Sequence, residues 1–143
     1  MDNEFFVDTN ILVYAFDESE KQKRAIAKKI VEETIQGSNK AFISNQVLAE
    51  LFVALTQKIQ NPVEKEKAQI IVNGFIDSIH WKKINYNANT VSKAMETSSK
   101  EKMHFWDAVV IETMLENKVY TILTENTKHF NLKCIKAINP FKN

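Results

Sequence analysis

Glu4-Phe5-Phe6-Val7-Asp8 is apolar at consecutive positions and closes on a carboxylate. An alternating strand shows one face to water. A run like this one is buried on both faces, the condition of a strand in a parallel sheet covered by helices. Ala41-Phe42-Ile43-Ser44, Trp81 to Asn85, Val119 to Leu123 and Cys134 to Ile138 read as further short strands, Trp81 to Asn85 being a weak one.

Helical spacing fills most of the chain between them. Thr9-Asn10 starts a helix over Ile11 to Phe16. Asp17-Glu18-Ser19-Glu20 has the form of a capping box, with Asp17 as cap. Ile26, Ala27, Ile30, Val31, Thr34 and Ile35 then form an inward face, Lys28 and Lys29 face out, and Gly37 is a stop. From Asn45, the residues Val47, Leu48, Leu51, Phe52 and Leu55 make one apolar arc, with Glu50 just beyond its edge. Asn61-Pro62 starts a helix to about Ile79, with Ala68, Ile71, Val72, Phe75, Ile76 and Ile79 inward. Gly74 inside it costs about 1 kcal/mol against alanine, which points to a close contact. Ala88, Val91, Ala94 and Met95 mark another helix, Ser98 to Lys102 a polar loop, and Phe105 to about Asn117 a last helix. The order predicts an α/β fold with a mostly parallel sheet of about five strands flanked by helices, in one domain over residues 1–143.

Composition narrows the function. The chain is 44% hydrophobic and 26% charged, with a net charge of +1, so it has enough for a core and no bulk charge that demands nucleic acid. A single cysteine, Cys134, excludes an internal disulfide framework and fits a reducing, cytoplasmic setting. Met1-Asp2-Asn3-Glu4 is acidic and does not read as a signal peptide. No apolar run approaches the ~20 residues of a membrane span.

The candidate chemistry lies in the acids. On a helical wheel Asp107 falls within the arc of Ala108, Ile111, Met114 and Leu115, about −20° to +100° from it. A charge there is either an N-cap or one wall of a metal site. Asp8 ends a strand, Glu50 lies in the first turns of a helix after a strand, and Glu125-Asn126 follow another strand. In a parallel sheet those ends share one edge, where ligands bind. Each residue alone also has an ordinary reading: a turn for Asp8 and Asn126, a solvated helix surface for Glu50. Clustered carboxylates repel and must protonate or hold a cation. Oxygen donors without a His or Cys cluster suit Mg²⁺ or Mn²⁺ and argue against zinc. Such ions meet phosphates and activate water against a phosphodiester. Two glycines leave no glycine-rich phosphate loop. Lys58, Lys100, Lys102 and Lys128 form either a basic rim for a nucleic-acid backbone or a solvated surface. His104 and His129 flank the site by sequence. Phe105 and Trp106 read as core or interface, and Cys134 as a small core residue.

Four stretches together resemble the motifs of PIN-domain proteins: Phe6-Val7-Asp8-Thr9-Asn10 through Asp17, Asn45 to Leu51 around Glu50, Phe105-Trp106-Asp107-Ala108, and Leu123-Thr124-Glu125-Asn126 through Phe130. The closing Asn139-Pro140-Phe141 fits as well. Within the family the chain looks most like VapC-type toxins. The resemblance implies a three-layer PIN-like fold and a Mg²⁺- or Mn²⁺-dependent endoribonuclease. Asp8, Glu50 and Asp107 would be the catalytic, metal-binding acids, supported by Thr9, Asn10 and Thr124. Lys100, Lys102, His104 and Lys128 would touch RNA. It also implies a homodimer and an antitoxin partner. Many members have aspartate where this chain has Asn126, so a second metal site at Asn126 or Glu125 would be weaker. That neutral residue also motivates the rival reading, a PIN-fold binding module with weak or no catalysis. A receiver or phosphatase ranks last, because Asp8-Thr9-Asn10 is not followed by the required second aspartate and later lysine.

Overall fold

The computed structural model describes residues 4–132 and 134–142. Met1 to Asn3, the acidic start of the sequence, lie outside them. Five strands, β1 (Glu4–Val7), β2 (Lys40–Ser44), β3 (Trp81–Ile84), β4 (Thr121–Leu123) and β5 (Lys136–Ile138), make one sheet in the order β3-β2-β1-β4-β5. Every pairing is parallel, with Phe6 opposite both Phe42 and Ile122, and Leu123 opposite Ile138. The helices are α1 (Thr9–Tyr14), α2 (Lys21–Ile35), α3 (Asn45–Val53), α4 (Lys65–Asp77), α5 (Ala88–Glu101) and α6 (Phe105–Glu116). A single wide π-turn (Ala54–Lys58) extends α3, and a 3₁₀ turn (Thr127–Phe130) follows β4.

The expected α/β architecture is therefore present, and its connections explain where the crevice falls. From β1 the chain steps outward through β2 to β3, then returns across the sheet to place β4 on the other side of β1. Ligand crevices in open parallel sheets form where the strand order reverses in this way. Contacts sort the helices into two groups: α1 packs on α2 and α3, α3 packs on α4, and α5 pairs with α6. Between them Phe5, Phe6 and Val7 are all buried, as a two-sided strand requires. Ile11, Ile43, Leu51, Ile111, Met114 and Ile122 have no exposed surface beyond 2%. Each such side chain contributes about 1.5–3 kcal/mol by leaving water.

Some local readings are corrected. Asp17 does not cap α2. Its carboxylate takes the N–H and hydroxyl of Ser19 in a tight turn, and the helix begins at Lys21 without a side-chain cap. A side chain bonded two residues on makes a turn of its own and delays the helix. Likewise α4 starts at Lys65, not Pro62; residues 61–64 are not helical, and Val63 N–H donates to Leu55 O. Residues Ser98 to Glu101 are the last turn of α5, which ends on Lys102 in the left-handed conformation (φ 52°). Ile79 is 90% exposed, Ile35, Ile76 and Met95 are also exposed, and a Cβ on Gly74 would meet nothing within 4 Å. Gly74 therefore marks no close contact. Cys134 is exposed ahead of β5, not a core residue.

Gly37 does stop α2. Its φ of +83° lets Gly37 N–H reach Thr34 O while Ser38 N–H reaches Glu33 O. The end of α6 repeats that geometry with a lysine: Lys118 (φ 57°) donates to Leu115 O and Val119 N–H to Met114 O.

Candidate active site

Asp8 leaves the carboxyl end of β1 with its own N–H bonded to Leu123 O of β4 (3.0 Å). Its extended backbone makes it the N-cap of α1, and its Oδ1 accepts Thr9 N–H (2.8 Å). The turn reading and the site reading thus coexist in one residue. Oδ2 accepts Thr124 Oγ1–H (2.7 Å) and Asn10 Nδ2–H (3.2 Å). Thr124 is buried at the end of β4, and its hydroxyl accepts Asn126 N–H (3.0 Å). Three donors favour the ionised carboxyl, yet its pKa is raised above the ordinary 3.8. Burial outweighs the hydrogen bonds, and the charge of Asp107 adds to it.

Asp107 stands in the first turn of α6, whose N-cap is His104, so Asp107 is not the cap. Its carboxyl is also raised, first by burial, while His129 and His104 draw it back down. His129 Nδ1 is 3.5 Å from Asp107 Oδ2. Glu50, on α3, is exposed as a whole residue. Partial burial still raises its carboxyl first; the Gln46 amide and Lys58 oppose this, and Asp8 and Asp107 reinforce it. The charges of Asp8 and Asp107 act on Glu50, and that of Asp107 on Asp8, so the three acids share one electrostatic neighbourhood at the sheet's carboxyl edge. Among the described residues no three His, Cys, Asp or Glu side chains stand close enough to hold an ion between them directly. The Thr9 hydroxyl beside Asp8 is buried without a partner.

Glu125 is placed differently. Its backbone N–H donates to Asn10 Oδ1 (3.2 Å), while its carboxylate is taken by Tyr14 O–H (2.7 Å) and by an ion pair with Lys23. Lys23 lies over the rings of Tyr14 and Phe141, and these partners hold the Glu125 carboxyl below its ordinary value against the opposing effect of burial. Asn126 is exposed. Sequence patterns did not reveal Tyr14, Lys23 or Phe141 here, since Lys23 meets Glu125 across 102 residues.

Of the basic candidates, Lys102, Lys128, His104 and His129 line one cavity of about 470 Å³ with Glu101, Asp107 and Asn131. Lys100 lines a neighbouring one with Glu96 and Glu112. Lys58 acts on Glu50. Trp106 is neither core nor covered: it is 53% exposed.

A parallel sheet whose central strands β1 and β4 carry a partly buried, hydrogen-bonded aspartate at their switch point, with two further acids on neighbouring helices, defines the architecture. The chain belongs to the PIN-domain family, whose profile matches residues 5–133. No curated protein sequence matches it. Solved structures do. A toxin–antitoxin complex from Klebsiella pneumoniae has a TM-score of 0.66 at 19% identity, over 97% of this chain and 99% of that one. Mycobacterium tuberculosis VapC20, described as a sarcin–ricin loop cleaving toxin, has 0.67 at 15%, over 92% and 98%. VapBC2 from Rickettsia felis, bound to a promoter DNA fragment, has 0.67 at 19%, over 95% and 98%. At those identities the likeness is one of fold. Among the described residues no helix is long and apolar enough to cross a membrane.

Proposed function

We propose that the protein is a Mg²⁺- or Mn²⁺-dependent endoribonuclease, the toxin of a toxin–antitoxin pair. The observation that carries this is the shared electrostatic neighbourhood of Asp8, Glu50 and Asp107, each carboxyl raised, at the switch point of a PIN-family sheet. Groups that destabilise one another's charge are suited to a cation, and an all-oxygen donor set suits a hard one. Asp8, Asp107 and Glu50 would hold it. Because no three of them converge directly, the ion would keep much of its water, as Mg²⁺ does. When bound, such an ion supplies an activated water and neutralises the leaving oxygen of a phosphodiester. Thr124 and Asn10 fix the Asp8 carboxylate, and Lys102, His104, Lys128 and His129 meet the RNA backbone. Glu125 is engaged by Lys23 and Tyr14, so one firmly held ion is the reading, with Asn126 at a weaker second position.

The likeness to the Klebsiella and Rickettsia toxin–antitoxin structures supports an antitoxin partner; the resemblance of the motifs to VapC-type toxins is what motivates a homodimer acting in the cytoplasm. The description of the mycobacterial relative supports RNA as the substrate class. The test is cleavage of single-stranded RNA with Mg²⁺ or Mn²⁺ and in chelator. Asp8→Asn and Asp107→Asn should each lower the rate by on the order of 10²-fold or more. Undiminished cleavage by those variants would remove the mechanism. Asn126 and the tied Glu125 carboxylate favour the second reading, a binding module. It would show as RNA or protein affinity without metal binding in a titration.

A further inference from the structure

A separate cavity, lined by Trp106, has a different chemistry from the one that Asp107 lines. It measures about 510 Å³ and is lined by Asn45, Gln46, Asn85, Tyr86 and Trp106. Its lining has three neutral amides, two aromatic rings and no carboxylate, lysine or histidine. Its place follows from the sheet. Asn45 directly follows β2 and Asn85 directly follows β3, so both sit on the carboxyl edge that carries Asp8. Gln46 is one turn before Glu50 and its amide acts on that carboxyl. Trp106 is the residue before Asp107; its ring stands edge-on to Tyr86 (centroids 6.3 Å, 67°) and to Phe105 (5.2 Å, 69°), which hold it while 53% of its surface stays exposed. Adjacent residues of one helix turn thus open onto two cavities, Asp107 onto the basic one and Trp106 onto the amide one.

We propose that this cavity is a nucleobase subsite, which takes one unpaired base of the RNA strand beside the phosphate held at Asp107. A propped, exposed indole is a stacking platform for any base, and stacking is how proteins commonly hold splayed single-stranded RNA. Side-chain amides offer paired donors and acceptors that match a base edge. The absence of charge from the lining suits a neutral base, and the lysines and histidines across Asp107 suit the backbone. The assignment rests on the ribonuclease reading and adds to it a determinant of where the strand is cut.

The test is binding, which does not depend on turnover. The full chain carrying Asp107→Asn is titrated with a fluorescent single-stranded tetranucleotide pool and with an abasic tetranucleotide of equal charge, read by anisotropy. Trp106→Ala in that background should weaken binding of the base-containing pool roughly tenfold, Trp106→Phe should keep most of it, and all three proteins should bind the abasic strand alike. Asn85→Ala, on a surface loop, should narrow the differences among homopolymers of the four bases, and it carries the comparison if Trp106→Ala does not fold. In otherwise wild-type protein, Trp106→Ala should shift the base profile at the cut site. Equal binding of the base-containing pool by Trp106→Ala and its parent would overturn the proposal. So would an unchanged pool profile accompanied by dissociation of a dimer on sedimentation, which would make the surface a contact between copies. Failure of the wild-type chain to cut any RNA would sink the ribonuclease reading while the binding arm still decides this one.

Discussion

The Thr124 hydroxyl has one proton, and it is committed. The hydroxyl accepts from Asn126 N–H and donates to Asp8 Oδ2. Valine has the same shape and neither function, so Thr124→Val leaves a buried carboxylate with one donor fewer. Expected is a loss of roughly 10- to 100-fold in cation affinity or RNA cleavage, largely restored by Thr124→Ser. Calorimetric Mn²⁺ titration would read the first and initial rates the second. An effect no larger than that of a remote surface variant would deny Thr124 its orienting role. Asp8 was legible in the sequence because a buried apolar run ended on it, and Asp107 because it broke an apolar arc. Glu50 had only its neighbours to mark it. What holds Glu125 was not legible: Tyr14 and Lys23 lie on α1 and α2 with nothing local to pair them with a residue over 100 positions away.

Elements were read best where burial dictated them. All five strands and the alternation came through: two-sided burial leaves a plain apolar signature in β1, β2 and β4, while the outer strands β3 and β5 are only partly buried. Helix starts were read worst. Asp17 and Asn61-Pro62 carry starting signals, but Asp17 spends its carboxylate on Ser19 and residues 61–64 stay outside the helix. Exposed Ile35, Ile76 and Ile79 show the limit of periodicity, which marks a face without stating whether anything covers it. The α6 terminus offers a clean check on a cap. Lys118 occupies a left-handed position that a Cβ disfavours, whereas glycine adopts it freely. Lys118→Gly should therefore stabilise the protein by about 1 kcal/mol, or roughly 3–5 °C in Tm, with RNA cleavage unchanged. A fall in Tm would mean the lysine side chain contributes more than the backbone strain costs.

Across the whole molecule the acid cluster sets how stability responds to pH. Asp8, Glu50 and Asp107 all have folded values raised above the ordinary 3.8 and 4.5. The folded state therefore binds protons more tightly than the unfolded one. The stabilisation this gives is fully present below the ordinary values and is lost as pH rises through the raised ones. Glu125, held low by Lys23 and Tyr14, works in the opposite sense: its contribution is present above its ordinary 4.5 and lost as pH falls through its lowered value. From the ordinary values up through the raised ones, the three acids therefore lower stability as pH rises. Thermal melts in chelator should show a lower Tm at pH 7.5 than at about pH 4, the ordinary carboxylate value, from this source. Mg²⁺ should raise Tm more at pH 7.5, and Asp107→Asn should be more stable than the parent in chelator at pH 7.5 by a few degrees, about 1 kcal/mol. Equal Mg²⁺ effects at both pH values would count against the cluster as the cation's seat.

The bond from Thr124 to Asp8 spans 116 positions, nearly the length of the chain. On a ribosome, where synthesis proceeds at roughly 5–20 residues per second, Asp8, Glu50 and Asp107 all emerge before β4 exists to insert beside β1. A nascent chain therefore carries all three acids of the proposed site before that site can form. The candidate site is completed last, when the returning strand closes the centre of the sheet and brings Thr124 to Asp8.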